Sequence, residues 1–174
     1  MSAVVDDDYQ HFVSGILERA DNRGFAHLSA MQVVFALTTT TSQVTYDLEA
    51  TVHRPRGLSW AAYRLLVVLA VSGPLDPTRA APRAAMSRAA VSALAKTLER
   101  DGLINRKPST VDGRSVVLSL TRRGRSVLAD AKAANNEREE AWCAVLAESE
   151  RRQLVTLLRK LANQPSSTSV RQRG

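Results

Sequence analysis

Apolar positions recur at helical spacing through most of this chain, and one short stretch alternates instead. Phe12, Ile16 and Leu17 give a first short helix one apolar stripe, ending near Asn22 to Gly24. Met31, Val34, Phe35, Leu37, Val44, Leu48 and Val52 predict a longer helix from about Ser29 to Val52. Its run Thr38 to Thr41 is β-branched and a poor helix former, but a strand there would break the flanking period. Ser59 is a helix N-cap ahead of Trp60, Tyr63, Leu65, Leu66, Val68, Leu69 and Val71, and Gly73 and Pro74 end that helix. A short helix is expected over about Pro77 to Ala84. Ser87 caps another, in which Val91, Leu94 and Leu98 share a face, and Gly102 supplies its C-cap. Leu103 and Ile104 open an extended segment, residues 106–113 form a polar tip, and Val116, Leu118 and Leu120 alternate with polar or outward positions. Thr121 caps a long helix from Arg122 to about Val145, and Ser149 begins a last one striped by Leu154, Leu157, Leu158 and Leu161. Pro165 ends it. Residues 1–8 and 164–174 read as disordered ends.

Charge changes the picture. The chain holds 24 Lys and Arg against 17 Asp and Glu, a net of +7. Residues 77–125 alone contain eleven of the basic residues and three of the acidic ones, so all the excess positive charge lies in one block. A short helix followed by a small basic hairpin is a winged helix-turn-helix pattern, and a concentrated basic block suits a phosphate-bearing partner.

The order Leu58-Ser59, Leu65-Leu66, Leu69, Ser87-Arg88-Ala89-Ala90-Val91-Ser92, Leu98-Glu99-Arg100-Asp101-Gly102-Leu103-Ile104, Asp112-Gly113-Arg114-Ser115 and Leu120-Thr121-Arg122-Arg123-Gly124 resembles the MarR family of bacterial winged-helix transcription regulators. The resemblance covers about residues 58–124. It departs at Pro82, which falls inside the helix before the recognition helix, and at Ala80 and Ala81, which replace larger apolar residues. It implies a mainly α fold with a small β-wing: a winged helix-turn-helix core at 55–121 flanked by dimerisation helices at 9–54 and 122–163. It also implies a cytoplasmic homodimer that binds a pseudo-palindromic operator in double-stranded DNA and is released by a small aromatic or anionic effector. The DNA contacts expected are Ser87, Arg88, Ala89, Ala90, Ser92 and Lys96 on the recognition helix, with Arg106, Lys107, Asp112 and Arg114 on the wing. Effector candidates by position are Thr41, Thr45, His53, Trp60 and Arg64.

Other chemistry finds little support. His11, His27 and His53 lie far apart, and none shares helix-turn spacing with another His or Cys, so no metal site and no cofactor are expected. Cys143 beside Glu139 and Glu140 reads as a quiet buried thiol. Ser87 and Ser92 lack a nearby base, and no phosphate loop or carboxylate pair is present, so no enzymatic activity is expected. No apolar run is long enough to span a bilayer, and the acidic start MSAVVDDD lacks the order of a signal peptide. Two other readings are a non-specific architectural DNA binder and a protein-interaction module with an incidental basic face.

Overall fold

In the computed structural model the described residues are 27–108 and 116–164, with Gly15. The first short helix, the wing tip at 109–115 and both chain ends therefore lie outside the described residues. The chain divides into two compact units, residues 1–45 and 46–174.

The first described helix, α1, runs Leu28–Leu48. The helix continues through the threonine run, where Thr38 Oγ1 donates to Val34 O at 2.9 Å, and just beyond it Ser42 Oγ donates to Thr38 O at 2.9 Å. The regular helix stops at Leu48 and not at Val52 as the periodicity suggests. A wider π turn, Glu49–His53, and a 3-10 turn, Arg54–Arg56, follow it. Within the π turn both Val52 and His53 are buried.

In the second unit the core is built around α2, Trp60–Ser72. Ser59 caps it by accepting from Ala62 N at 3.1 Å. Leu65 and Leu66 are fully buried and meet Leu58, Leu69, Val91, Ala95, Leu98, Ile104, Leu118 and Leu128. Val71, grouped by periodicity with the core positions, instead points outward and is 81% exposed.

Helix α3, Pro77–Arg83, is short, with Asp76 Oδ1 accepting from Arg79 N at its start. Ala80 and Ala81 are buried, so their small size lets α3 sit close against the core. Pro82 lies one residue from the helix end, where the missing amide costs one bond. The chain then turns through Ala85, whose φ is 47°. Met86 N reaches Ala81 O at 3.0 Å and Ala85 N reaches Pro82 O at 3.3 Å, which is the paired closure of a Schellman turn. The same closure ends α4, Arg88–Arg100, where Leu103 N bonds Leu98 O and Gly102 N bonds Glu99 O. There a glycine takes the left-handed position; after α3 an alanine must. Ala85→Gly should therefore stabilise the protein by about 0.5–1 kcal/mol, read as a raised midpoint in urea with unchanged slope.

The wing is an antiparallel pair of β1, Ile104–Pro108, and β2, Val116–Leu120, in register Ile104 with Leu120 and Pro108 with Val116. Leu75 adds a bridge to Leu118, with bonds of 3.0 and 2.7 Å. Thr121 then caps α5, Arg122–Cys143, by accepting from Gly124 N at 2.8 Å. Its hydroxyl also donates to Gly102 O at 2.8 Å, which fastens the exit of α4 to the start of α5. The last helix, α6, spans Glu148–Ala162. It begins one residue earlier than Ser149, because Glu150 Oε2 accepts from Ala147 N at 2.7 Å and fixes the first turn there. Val145 falls in the turn between the two helices and is exposed, so it does not extend the α5 stripe. Among the described residues no helix is long and apolar enough to cross a membrane.

Candidate nucleic-acid interface

Helix α4 sets the geometry. Ser87 Oγ accepts from Ala90 N at 3.1 Å and starts it cleanly. Val91, Ala95 and Leu98 are buried, and they fix which side faces out. The opposite row is Ala89, Ala93, Lys96 and Arg100, all exposed, with Thr97 beside it. Ser87, Arg88 and Ala90 are exposed as well, whereas Ser92 is half-buried on the flank. Sequence spacing aligned Arg88, Ser92 and Lys96. The burial of Val91, Ala95 and Leu98 shifts the centre of the outward face to Ala89 and Ala93 and adds Thr97 and Arg100. The signal for Ala93, Thr97 and Arg100 was present as the phase of the apolar positions, which places the outer row half a turn away from them.

Three exposed alanines on the first two turns leave the helix slim enough to lie deep in a groove. The first turn of α4 carries no carboxylate, so its positive dipole end and Arg88 reinforce each other toward an anion. Among the described residues no carboxylate pairs with Arg88 or Lys96. Arg79 and Arg83 on α3 are exposed nearby in the chain. On the wing, Lys107 is exposed, while Arg106 Nη1 is held by Glu99 Oε2 at 3.0 Å and gives up part of its charge to that pair. Asp112 and Arg114 lie outside the described residues.

A second cluster gathers at the start of α2. His53 is fully buried, stacked on Tyr63 with ring centroids 4.4 Å apart and tilted against Trp60 at 5.4 Å. The Arg64 guanidinium lies 6.0 Å over the Trp60 ring. Glu49 Oε2 accepts from Trp60 N at 3.1 Å and pairs with Arg54. That amide bond, ahead of Arg54, draws the Glu49 carboxyl below its usual range, against the effect of burial. Thus three of the five effector candidates, His53, Trp60 and Arg64, come together. Thr41 and Thr45 lie on α1 within the other unit. Both ring nitrogens of His53 lack a hydrogen-bond partner among the described residues.

Burial pushes the His53 imidazole below its ordinary 6.5; Glu49 pulls it up, and Arg56 pushes it further down. Tyr63, also packed on this ring, has its phenol pushed up by burial and by Glu139 on α5. The folded protein therefore keeps His53 neutral where the unfolded chain is already protonated. Stability should be full above pH 6.5 and fall as pH drops below it toward the depressed folded value. Melting curves above and below that pH should show this loss in wild type, and His53→Phe should flatten it.

Asp47 ties the end of α1 to α5. Its carboxylate takes two bonds from Arg138, at 2.6 and 2.7 Å, and one from the Trp142 indole at 2.7 Å. The Arg138 bonds, more than the indole, hold it below the carboxylate range against burial. Trp142 is thus a half-buried polar anchor and not simply an apolar mark of α5. Arg56 Nε meets Asp130 Oδ2 at 2.7 Å, a second tie onto α5. Cys143 is half-buried and not fully enclosed, at the last residue of α5. Its carbonyl accepts from Arg151 Nε at 3.1 Å, and Arg151 also grips Glu140. Among the described residues no group of three His, Cys, Asp or Glu is placed to hold a metal ion.

Residues 58–116 match the MarR family. The HTH-type transcriptional regulator YwaE of Bacillus subtilis (strain 168) is 28% identical over 82% of this chain and 83% of its own length. A protein described as a transcriptional regulator for the hcr operon of Thauera aromatica is 30% identical, covering 68% of this chain and 71% of its own. Among solved structures, the transcriptional repressor CouR bound to a 23-mer DNA duplex superposes with a TM-score of 0.72 at 29% identity, over 79% of this chain and 96% of CouR.

Proposed function

This chain belongs to the MarR family of transcriptional regulators, and from that premise we propose that it is a bacterial, cytoplasmic homodimer that represses transcription by gripping a pseudo-palindromic site in double-stranded DNA. It is a regulator and not an enzyme. The observation that carries the DNA reading is the outward row of α4, slim at its leading end and cationic behind, with no carboxylate paired to Arg88 or Lys96 among the described residues. The solved repressor bound to duplex DNA supports it. Residues 55–121 act as the reading head. Ser87, Arg88, Ala89, Ala90 and Ser92 meet base edges or phosphates, joined by Ala93, Lys96, Thr97 and Arg100. Arg106 and Lys107 contact the backbone beside them, and Asp112 and Arg114 complete the wing's contacts in this reading.

Residues 9–54 and 122–163 form the dimer. Leu154, Val155, Leu157 and Leu161 stand exposed on α6, and Val33, Val34 and Leu37 on α1, with no cover within their own units. A second copy of the chain supplies that cover and sets two recognition helices about one DNA turn apart. An aromatic or anionic effector enters beside Trp60 and Arg64 and opens the stacked His53. It favours a dimer whose α4 helices are wrongly spaced for DNA.

Arg88→Ala and Lys96→Ala separate base reading from phosphate holding. If Arg88 meets a guanine edge, its loss costs about 1–3 kcal/mol and relaxes preference at one position in each half-site. Lys96→Ala should weaken all sequences alike and reduce the salt slope by about one. Equal, sequence-independent losses from both variants would instead favour a non-specific architectural binder.

A further inference from the structure

We propose that the pocket between the exit of α4, the first turns of α5 and the turn before α2 binds a phosphate-type oxyanion, such as a small phosphorylated metabolite. The cavity measures about 330 Å³ and is lined by Arg56, Arg100, Arg123, Asp101, Leu103 and Val127. It stands apart from the His53 cluster and uses none of the effector candidates.

Arginines from three separate elements line this one space, and a single carboxylate, Asp101, lines it with them. Like charges gathered this way repel unless an anion joins them. Their existing partners leave much of that charge unmet. Arg56 is pinned by Asp130 through Nε and by Val52 O through Nη1, which leaves Nη2 without a bond among the described residues. Arg100 reaches Asp101 only at 3.4 Å and its side chain is 75% exposed. Arg123 makes no hydrogen bond or ion pair among the described residues. It also sits in the first turn of α5, a turn with no carboxylate, where the helix dipole disfavours a cation. Fold stability gives no reason for an arginine there, whereas an anion held between Arg123 and that helix end gives one.

The chemistry selects the class. Guanidinium forks match the oxygens of a phosphate or sulfate by paired hydrogen bonds. Arg56, Arg100 and Arg123 stand against Asp101 and against Asp130, which pairs with Arg56, so an excess of one positive charge remains to favour an anion. The space exceeds a bare phosphate, and Leu103 and Val127 offer an apolar wall for an organic remainder. Arg100 and Asp101 end the recognition helix, so an anion seated here braces α4 against α5.

Thermal melting of the full chain in inorganic phosphate and in chloride, at equal pH and ionic strength, tests the site. Saturating phosphate should raise the wild-type midpoint by about 3 °C or more, and sulfate should do the same. Arg123→Ala should melt like wild type in chloride and lose most of the phosphate shift. Arg159→Ala, an exposed arginine on α6, should keep it. No shift in wild type, or a shift that survives Arg123→Ala, would overturn the proposal. The same variant bound to DNA distinguishes the remaining source of phosphate. An unchanged salt slope supports a separate anion site, while a slope reduced by about one would assign Arg123 to the DNA backbone and overturn it.

Discussion

Gly124→Ala should destabilise the protein by about 3 kcal/mol or more, a large part of the stability of a domain this size. Gly124 is buried in the first turn of α5, directly against the Leu103 backbone. A Cβ there would run into the Leu103 carbonyl, which already accepts from Thr121 N. Backbone on both sides of the contact leaves no flexible side chain to move aside. Relief requires lifting α5 from the α4–β1 turn, which breaks the bond from Thr121 Oγ1 to Gly102 O and uncovers Leu103. The melting temperature should fall by about 10 °C. Gly57→Ala is the fitting contrast, because Gly57 has a φ of 70° but open space around it, and should cost only about 1 kcal/mol. Near-equal losses from the two would mean that close approach is not what the Gly124 position demands.

Placing Glu at both Leu157 and Leu161 should split the proposed dimer. These side chains are 51% and 45% exposed on α6, a helix with no buried residue in the single chain, although its arginines and first-turn glutamates are well placed. Glutamate keeps helix propensity, so α6 should still form. Four carboxylates brought together at a two-fold interface would not be tolerated without water. Sedimentation should give the 19.0 kDa chain mass in place of about twice that. Operator affinity should drop by about 100-fold or more, because the second half-site no longer binds as part of the same body. A variant that stays dimeric would move the interface away from α6.

Local signals carried most of the fold. Ser59, Ser87, Thr121 and Gly102 act within one turn of themselves, so their roles as caps were legible from neighbours alone. Alternation in 116–120 was equally local and gave β2. What escaped depends on partners distant in sequence or on backbone without a side-chain signature. Ala85 takes a left-handed turn that glycine usually marks. The π turn at Glu49–His53 leaves the apolar period nearly intact, so periodicity ran through it. Asp47 is one more acid on a helix until Arg138 and Trp142, about ninety residues on, close around it. Gly124 stood out as part of a resemblance, but its reason is the Leu103 carbonyl. On α4 the sequence spacing lined up Arg88, Ser92 and Lys96, while the burial of Val91, Ala95 and Leu98 centres the exposed face on Ala89 and Ala93.

The central claim is that α4 reads sequence. Binding of the full-length protein to the duplex upstream of its own gene, compared with a random duplex of equal length at one stated salt concentration, tests it most directly. Specific binding about 10³-fold tighter or more, with two chains per duplex, is the expected result. Equal affinity for both duplexes, with the same salt slope, would contradict it.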